Sequence, residues 1–368
     1  MAAVKAADPQ VKFRVAAIDE PNEVRPYGGE VRWRIRQGDA KNYRAAAEAI
    51  NRSNADIVNV QHEFGLYGIW TDGVYDDHLR HFLEALRKPV VTTLHTVPPD
   101  PTPSMREAIR SAVQFSTSTV VMANAAASIL ADEYGITEVP VVIPHGMPAI
   151  QPHGRVRMKE KLGVTGRTII STFGLVDPRK GIEYMIEAMP EIVAGHPAAL
   201  YLVAGQTHPE LRRHDGETYR NGLIETVKRL GLENNVSFID EYMAQRDIIE
   251  LLLASDVYVT PYLDPRQITS GTLAYALGAG KAIVSTAYLH AREALGEGRG
   301  ILVPFRDSAA LAQAVNALLE HPDRKQALER ASYAYASDMS WPRTGEHWLA
   351  LMQLMAFSVR ARSGSSAA

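Results

Sequence analysis

The sequence contains no cysteine, which excludes disulfide bonds, thiolate metal sites and a cysteine nucleophile. It also lacks a basic excess: 39 Lys and Arg stand against 42 Asp and Glu, a net charge of -3, so no global positive field points to nucleic acid. No apolar run approaches the roughly 20 residues of a membrane-spanning helix. The opening stretch MAAVKAADPQVKFRV lacks a signal-peptide core. We therefore expect a cytoplasmic protein without an integral membrane segment.

The residues that are present predict an α/β protein of two domains. The chain has 368 residues, 46% of them hydrophobic and 22% charged, which is typical of a globular protein larger than one ordinary core. Short β-branched runs alternate with helical patterns, and the alternation restarts near Thr168. Two doubly wound parallel sheets are therefore expected, joined by a linker at 145–157 that is rich in glycine and proline.

Two loops carry the residue types that bind phosphate. In the first, Thr269, Ser270 and Gly271 precede a helix predicted from about Leu273. Their amides and hydroxyls, with the positive end of that helix, can hold a diphosphate. In the second, FGLVDPRKG at 173–181, a basic pair follows a predicted strand end. Because such strand ends line the ligand crevice of parallel sheets, we expect a ligand-binding role for that pair.

Other motifs fail when their spacing is checked. Gly278 to Lys281 lacks the first glycine and the final hydroxyl residue of a triphosphate-binding loop, and the third glycine of a dinucleotide fingerprint is absent. Four polar residues near one another on a predicted helix, Asp76, Asp77, His78 and His81, favour a solvated face over a metal site. No metal site is predicted.

The motifs ALGAGKAIVST at 276–286 and FGLVDPRKG resemble those of the retaining nucleotide-sugar glycosyltransferases of family 4 (glycosyltransferase group 1). That resemblance implies the GT-B fold, in which two Rossmann-like parallel-sheet domains face each other across a cleft. It places an acceptor-side domain at 1–147, a donor-binding domain at 148–337, a helix at 338–362 that returns to the first domain, and a disordered tail at 363–368. The strand, glycine-rich loop and helix with which family members open is not recognised ahead of the strand predicted at 11–18.

The resemblance also assigns roles to residues of the donor-binding domain. Lys180 matches the family lysine that neutralises the leaving diphosphate, whereas Leu175 replaces the usual arginine and Arg179 could supply the missing charge. Gln267 and Tyr275 stand at the positions of the two family glutamates, which contact the donor sugar and the ribose. Gln267 can still bond sugar hydroxyls, and Tyr275 offers a ring and a hydroxyl.

Further matches extend the predicted site. His95 stands where a family histidine faces the reacting sugar, and with Lys180 and Gln267 it completes the predicted catalytic set. His62 and Glu63 match a His-Glu segment that lines the acceptor side, although bonds to loop backbone explain them almost as well. The remaining predicted donor contacts are Gly205, Glu241 and Tyr242. His145 is assigned to hinge geometry. The segment at 207–220 either covers the nucleotide or is a solvated loop, and its mixed charges slightly favour the loop.

These assignments predict a metal-independent, retaining hexosyltransferase. It would move a hexose from a nucleotide diphosphosugar, of the UDP-glucose or GDP-mannose type, to a sugar or other hydroxyl acceptor, and would need no cofactor. Because both glutamates are missing, a non-catalytic sugar-nucleotide binding protein remains an alternative, as does a sugar phosphorylase or epimerase of the same fold. No nucleic-acid partner is expected, while peripheral membrane contact and assembly into a homo-oligomer stay open.

Overall fold

The chain forms two compact units. A computed structural model describes residues 1–20 and 25–365, with side chains to residue 358. One unit contains Met1–Pro144 together with the helix that begins at Trp341, and the other contains His145–Ser340.

The first unit is built around a four-stranded parallel sheet of order β3-β6-β7-β8, with a parallel pair β1-β2 and an antiparallel pair β4-β5. Its strands are β1 Val15–Asp19, β2 Val31–Arg36, β3 Val58–His62, β4 Gly68–Thr71, β5 Val74–Asp77, β6 Val90–Leu94, β7 Ser118–Val121 and β8 Val141–Val142. Its helices before residue 145 are α1 Ala2–Ala7, α2 Ala40–Asn51, α3 Phe64–Tyr67, α4 Leu79–Ala85, α5 Pro103–Gln114 and α6 Asn124–Tyr134.

The second unit contains a six-stranded parallel sheet of order β11-β10-β9-β12-β13-β14. Its strands are β9 Thr168–Phe173, β10 Ala199–Ala204, β11 Val236–Ile239, β12 Val257–Thr260, β13 Ala282–Thr286 and β14 Ile301–Val303. Its helices are α7 Arg155–Lys161, α8 Ile182–Gly195, α9 Pro209–Asp215, α10 Thr218–Arg229, α11 Gln245–Ala254, α12 Gly271–Gly278, α13 Leu289–Leu295, α14 Ser308–Glu320 and α15 Pro322–Ala336. Numbered along the chain, the order is 3-2-1-4-5-6, which is typical of a Rossmann domain.

Both faces of this sheet are buried. Val257 and Val259 of β12 join one hydrophobic cluster, while Tyr258 between them joins the other. Successive side chains of a strand point to opposite faces, so the continuous apolar run VYVT suits a strand with helices on both sides. The predicted alternation of strands and helices is confirmed, and so is the mixed α/β fold with parallel sheets in two domains.

The last helix, α16 Trp341–Ser365, belongs to the first unit. Trp348, Leu351 and Met355 pack in a cluster with Val91 and other apolar residues of the first sheet, as expected for a returning helix. It continues past its predicted end at 362 to Ser365. The predicted tail therefore falls partly within α16, and residues 366–368 lie outside the described part of the chain.

Helix α1 packs on α16, and a glycine makes this contact close. A Cβ added at Gly345 would lie 2.5 Å from the backbone oxygen of Ala3, so a larger residue would push the two helices apart. Segments near the two ends of the described chain thus stabilise each other.

A hairpin replaces the start of one predicted helix. Asp76 and Asp77 lie in β5, which pairs with β4, and α4 begins only at Leu79. The turn between the strands is Asp72-Gly73, both with positive φ, and this pair favours a tight hairpin. His78 is buried rather than part of a solvated face, so that prediction was wrong. Asp77 is half-buried, and this burial raises its pKa to about 6.

The segment at 207–220, interpreted as a loop, instead forms α9 and the start of α10. Pro209 stands in the first turn of α9, where its missing N–H costs nothing, and His208 accepts a hydrogen bond from the amide of Glu210. Arg220 is buried and pairs with Asp240 at 3.1 Å. Sequence reasoning gave too little weight to the proline as a signal for a helix start.

Candidate functional site

The second unit has a topological switch point between β9 and β12. These strands are neighbours in the sheet, but the chain continues from them towards opposite edges. Ligands of open parallel sheets bind in the crevice at the carboxyl ends of such strands. The loops that follow β9 and β12, at 174–181 and 261–270, contain five of the ten predicted donor contacts, and the structure brings the two loops together.

A glycine allows these two loops to touch. Gly181 has a φ of +60°, and an added Cβ would lie 2.2 Å from the backbone oxygen of Pro261. The amide of Leu263 also donates to the backbone oxygen of Arg179 at 2.8 Å. The position of the basic pair is therefore fixed by backbone contacts.

Arg179 is occupied by a neighbouring carboxylate. Its Nε and Nη2 donate to the two carboxylate oxygens of Asp177 at 3.0 and 3.1 Å, and Asp177 is buried. The hydrogen bond that Arg179 donates to Asp177 raises the pKa of Arg179. Because this pair offsets the arginine's charge, Arg179 is poorly suited to replace the missing family arginine.

Lys180 lies on an aromatic ring. Its Nζ is 3.9 Å from the centre of the buried Tyr262 ring, and over residues 1–20 and 25–365 it forms no ion pair. A cation over an aromatic face is attracted by the ring and keeps its charge for another partner. Tyr262 in turn stacks on Tyr288, with ring centres 5.4 Å apart.

The same ring leads to the start of α12. The Tyr262 hydroxyl is 2.6 Å from Oγ1 of Thr272, in the first turn of that helix. Ser270 caps the helix by accepting from the amide of Leu273, and its hydroxyl is 3.1 Å from that of Thr272. Lys180 and the amino end of α12, which were predicted separately, therefore both contact the side chain of Tyr262.

One predicted anion donor is unavailable. The amide of Ser270 donates to Nδ1 of His290, 2.9 Å away, so this amide is not free to bind an anion. In an α-helix the first amides have no intrahelical acceptor, which leaves those of Gly271 and Thr272. The expectation that the Ser270 amide contacts the ligand was wrong, because a distant histidine takes it.

His290, which sequence reasoning missed, organises this loop. Its own amide donates to the backbone oxygen of Gln267 at 3.1 Å, while its ring accepts from Ser270. Nδ1 must be unprotonated to accept from an amide, and burial lowers the pKa of His290 to about 4. No spacing rule relates positions 270 and 290, so only the fold reveals the contact.

His145, assigned only to hinge geometry, also lies beside the start of α12. A Cβ added at Gly271 would be 3.2 Å from its Nε2, and its Nδ1 is 2.8 Å from the backbone oxygen of Gly146. Burial lowers the pKa of His145.

The remaining predicted donor contacts occupy different environments. The Gln267 side-chain amide donates to the backbone oxygen of Thr269 at 3.0 Å, which leaves its carbonyl oxygen as an acceptor. The Tyr275 ring packs edge-on against Phe173, 6.2 Å between centres. Burial and, secondarily, the nearby Tyr242 raise the pKa of Tyr275. Glu241 and Tyr242 follow β11 and are exposed.

Gly205 follows β10 and serves close packing. It has a φ of +138°, and an added Cβ would be 2.1 Å from the backbone oxygen of Gly174. The Gly205 backbone oxygen accepts from the buried Arg220 at 2.5 Å. Gly205 thus holds the ends of β9 and β10 together at the edge where the ligand loops begin.

In the first unit, the three predicted site residues His95, Glu63 and His62 make different kinds of contact. His95 follows β6, and its Nε2 is 2.8 Å from Oε1 of Gln61. Glu63 caps α3 through the amide of Phe64 and accepts from Thr96 at 2.6 Å, which matches the backbone alternative considered for it. His62 is fully buried against aromatic rings, so this structure gives it a packing role.

Replacement of His290 gives a test of the loop. His290→Asn supplies a carbonyl oxygen to the Ser270 amide, whereas His290→Leu leaves that amide buried and unpaired at a cost of about 1–3 kcal/mol. The Leu variant should therefore be less stable than the Asn variant in urea denaturation. Equal stability of the two variants would contradict the role of Nδ1 as an acceptor.

Acid should destabilise both units through buried histidines. Burial lowers the pKa of His62 and of His290 to about 4, whereas an unfolded histidine has a pKa of about 6.5. Between these values the unfolded chain binds more protons, so stability is complete above pH 6.5 and declines towards pH 4. Thermal unfolding from pH 7 to 4 measures this, and His62→Leu should flatten the decline. A pH-independent melting temperature would contradict it.

The chain is similar to several known proteins. The family model of Glycosyl transferases group 1 matches residues 155–335. Among curated relatives, spore coat protein SA of Bacillus subtilis is 25% identical over 205 residues, 54% of this chain and 52% of that protein. A GDP-mannose-dependent monoacylated alpha-(1-6)-phosphatidylinositol monomannoside mannosyltransferase of Corynebacterium glutamicum is 26% identical over 214 residues, 55% of this chain and 51% of that protein. The chain thus spans about half the length of these curated relatives.

Solved structures match more of the chain. Anabaena HepE, crystallised with UDP, has a TM-score of 0.72 at 18% identity, covering 88% of this chain and 86% of HepE. Sucrose-phosphate synthase from Thermosynechococcus elongatus has a TM-score of 0.71 at 16% identity, covering 97% and 91%. Identities this low support the fold alone. Residues 155–335 of the second unit therefore form a glycosyl transferases group 1 domain, and the chain has the mixed α/β fold of two parallel-sheet domains seen in these solved structures.

Proposed function

We propose that this protein is a retaining glycosyltransferase that moves a hexose from a nucleotide diphosphosugar to a hydroxyl acceptor. The observation that carries the proposal is the position of Tyr262, which contacts residues of both loops at the switch point of the second unit. Tyr262 contacts Lys180 through its ring and Thr272 through its hydroxyl, which places a cation and a helix amino end at one strand edge.

The leaving diphosphate is the largest charge that develops in such a reaction, and these groups suit it. Lys180 would donate from its ammonium group, and Gly271 and Thr272 from their amides, with the positive end of α12 behind them. These donors would neutralise the diphosphate without a metal ion. Asp177 holds Arg179 in place, so Lys180 would carry most of the effect.

A front-face reaction fits the residues near the sugar position. The bond from the anomeric carbon to the phosphate oxygen would break while the bond to the acceptor oxygen forms on the same face. The departing phosphate would take the acceptor's proton. Gln267 stands at the position of the first family glutamate, and its amide cannot act as a nucleophile. Asp264, the carboxylate nearest to Gln267 in the sequence, pairs with Arg266 at 3.3 Å.

The donor is proposed to be of the UDP-glucose or GDP-mannose type. HepE has been crystallised with UDP and glucose, and a relative from Corynebacterium glutamicum is described as GDP-mannose-dependent. In this chain, Glu241 and Tyr242 would lie against the base and Tyr275 near the ribose. The roles of His95 near the reacting sugar and of Glu63 on the acceptor side stay predictions.

Calorimetry with UDP-glucose and GDP-mannose, each with and without EDTA, tests donor binding and the need for a metal. NMR of the product formed with simple sugar acceptors tests whether the anomeric configuration is retained. Donor binding without transfer or hydrolysis would instead favour a non-catalytic sugar-nucleotide binding protein. Phosphate-dependent cleavage of a disaccharide, with no response to nucleotide sugars, would favour a phosphorylase.

Among the residues that the structure describes, no helix combines the length and the apolar character needed to cross a bilayer.

A further inference from the structure

The second unit contains a polar cavity at the amino ends of its strands, whereas the proposed donor site lies at their carboxyl ends. Its volume is about 250 Å³, many times the roughly 30 Å³ that a water molecule occupies in the liquid. It is lined by Pro152, His153, Gly154, Arg155, Leu253, Lys281 and Glu329. The first three of these are exposed, so solvent reaches the rim.

The cavity lies at the amino ends of the strands. Lys281 directly precedes β13, whereas the donor loops follow the carboxyl ends of β9 and β12. A strand of four residues, such as β12, spans about 13 Å. A small molecule in the cavity would therefore not overlap with a diphosphate held by Lys180.

Lys281 is buried with its ammonium group only partly satisfied. Its side chain is 3% exposed. In the described part of the chain, Nζ has one hydrogen-bond acceptor, the backbone oxygen of Ser255 at 3.2 Å. An ammonium group has three donors, so two are left for a partner in the cavity. Buried charged groups are strongly destabilising unless they are paired.

Two carboxylates near Lys281 and Arg155, Glu329 in the cavity lining and Asp256 outside it, are already shared by other cations. Asp256 pairs with Lys159 at 2.6 Å and with Arg155 at 3.7 Å. Glu329 pairs with Arg155 at 2.5 Å and with Lys325 at 3.4 Å. With Lys281 protonated, four cations face two carboxylates, which leaves an excess of two positive charges.

An unpaired donor and the pKa of Lys281 are both consistent with an excess of positive charge here. The Nε of Arg155 is buried and has no hydrogen-bond partner within the described residues. Burial, followed by repulsion from Arg155, lowers the pKa of Lys281 to about 7, despite opposing contributions from Glu329 and Asp256; Lys325 lowers it further. An anion would satisfy the free donors and stabilise the charged lysine.

We propose that this cavity binds a small oxyanion, either inorganic phosphate or the phosphate group of a small phosphorylated metabolite, through Lys281 and Arg155. This anion site is separate from the proposed donor site, although both lie in the second unit.

Thermal unfolding with increasing inorganic phosphate, at fixed ionic strength and pH 7, tests the proposal. The wild type should show a saturable rise in melting temperature. Lys281→Met, which keeps the chain length and removes the charge, should weaken apparent phosphate binding at least about tenfold, as expected for loss of a charge-assisted hydrogen bond. Lys228→Met makes the same change at an exposed lysine of α10 and should bind phosphate like the wild type.

Phosphate bound at the donor site is distinguished by Lys180→Ala, which should keep the saturable response. Glycerol 3-phosphate added in parallel separates the two sources of the anion. Tighter binding than inorganic phosphate indicates a phosphorylated metabolite, and equal or weaker binding indicates the free ion. A phosphate response that survives in Lys281→Met but is lost in Lys180→Ala would overturn the proposal, as would no saturable response in the wild type.

A measurement on the wild type keeps the test valid if Lys281→Met does not fold. In protein labelled with ¹³C-lysine, one side chain should titrate near pH 7, whereas ordinary lysines titrate near 10.4. Its midpoint should rise on addition of phosphate, because an anion favours the charged form. An unchanged midpoint at saturating phosphate would overturn the proposal.

Discussion

Replacement of Lys180 by alanine is expected to lower turnover by about 10²–10³-fold, the size typical for loss of one donor to a developing anion. Lys180 rests on the ring of Tyr262 without an ion pair in the described residues, so its removal should leave the fold intact. Steady-state kinetics with the identified donor measure the effect, and circular dichroism with thermal unfolding checks the fold.

Arg179→Gln is the comparison for this prediction. Arg179 is already paired with Asp177, so its loss should slow turnover much less than loss of Lys180. Near-normal activity of Lys180→Ala, or a larger defect in Arg179→Gln, would show that the cation acting on the diphosphate has been wrongly chosen.

Gly205→Ala is expected to destabilise the second unit by about 3 kcal/mol or more. The new Cβ would lie 2.1 Å from the backbone oxygen of Gly174, and the φ of +138° is one that residues with a side chain rarely adopt. Backbone strain and overpacking each cost about 1–3 kcal/mol. The atoms that the new Cβ would meet belong to the Gly174 backbone, so they cannot move away as a flexible side chain could. Urea denaturation measures the loss.

Gly222→Ala is the matched control. Gly222 lies within α10, and an added Cβ meets no atom within 4 Å, so the same substitution should stabilise the unit by up to about 1 kcal/mol. Similar effects of the two substitutions would show that close packing at the ends of β9 and β10 is not what position 205 requires.

The second sheet could be predicted well from the sequence because burial on both faces produces unbroken apolar runs. β9 starts at Thr168, where the alternation of strands and helices is expected to restart. The strands of the first unit are less regular: β1 starts at Val15, four residues after its predicted start, and β8 has only two residues. The strand order could not be predicted from local patterns, since it depends on contacts between distant segments.

The loops of the candidate site could be predicted from the sequence, but the contacts between their residues could not. Lys180 and the start of α12 were placed from loop chemistry and family resemblance, and the structure joins them through Tyr262. The partners that change the interpretation are tertiary. Asp177 binds Arg179, and His290 binds the Ser270 amide from 20 positions away. Neither pairing follows from residue type alone.

The contact between α1 and α16 affects how the protein can fold during synthesis. The strands of the second unit succeed one another without interruption from β9 to β14, so that unit can begin to fold before α16 has left the ribosome. The first unit is made earlier but includes α16, which is translated after every strand of both sheets. Its final assembly must therefore wait until this helix has left the ribosome, and chaperones would have most reason to protect the first unit during that interval.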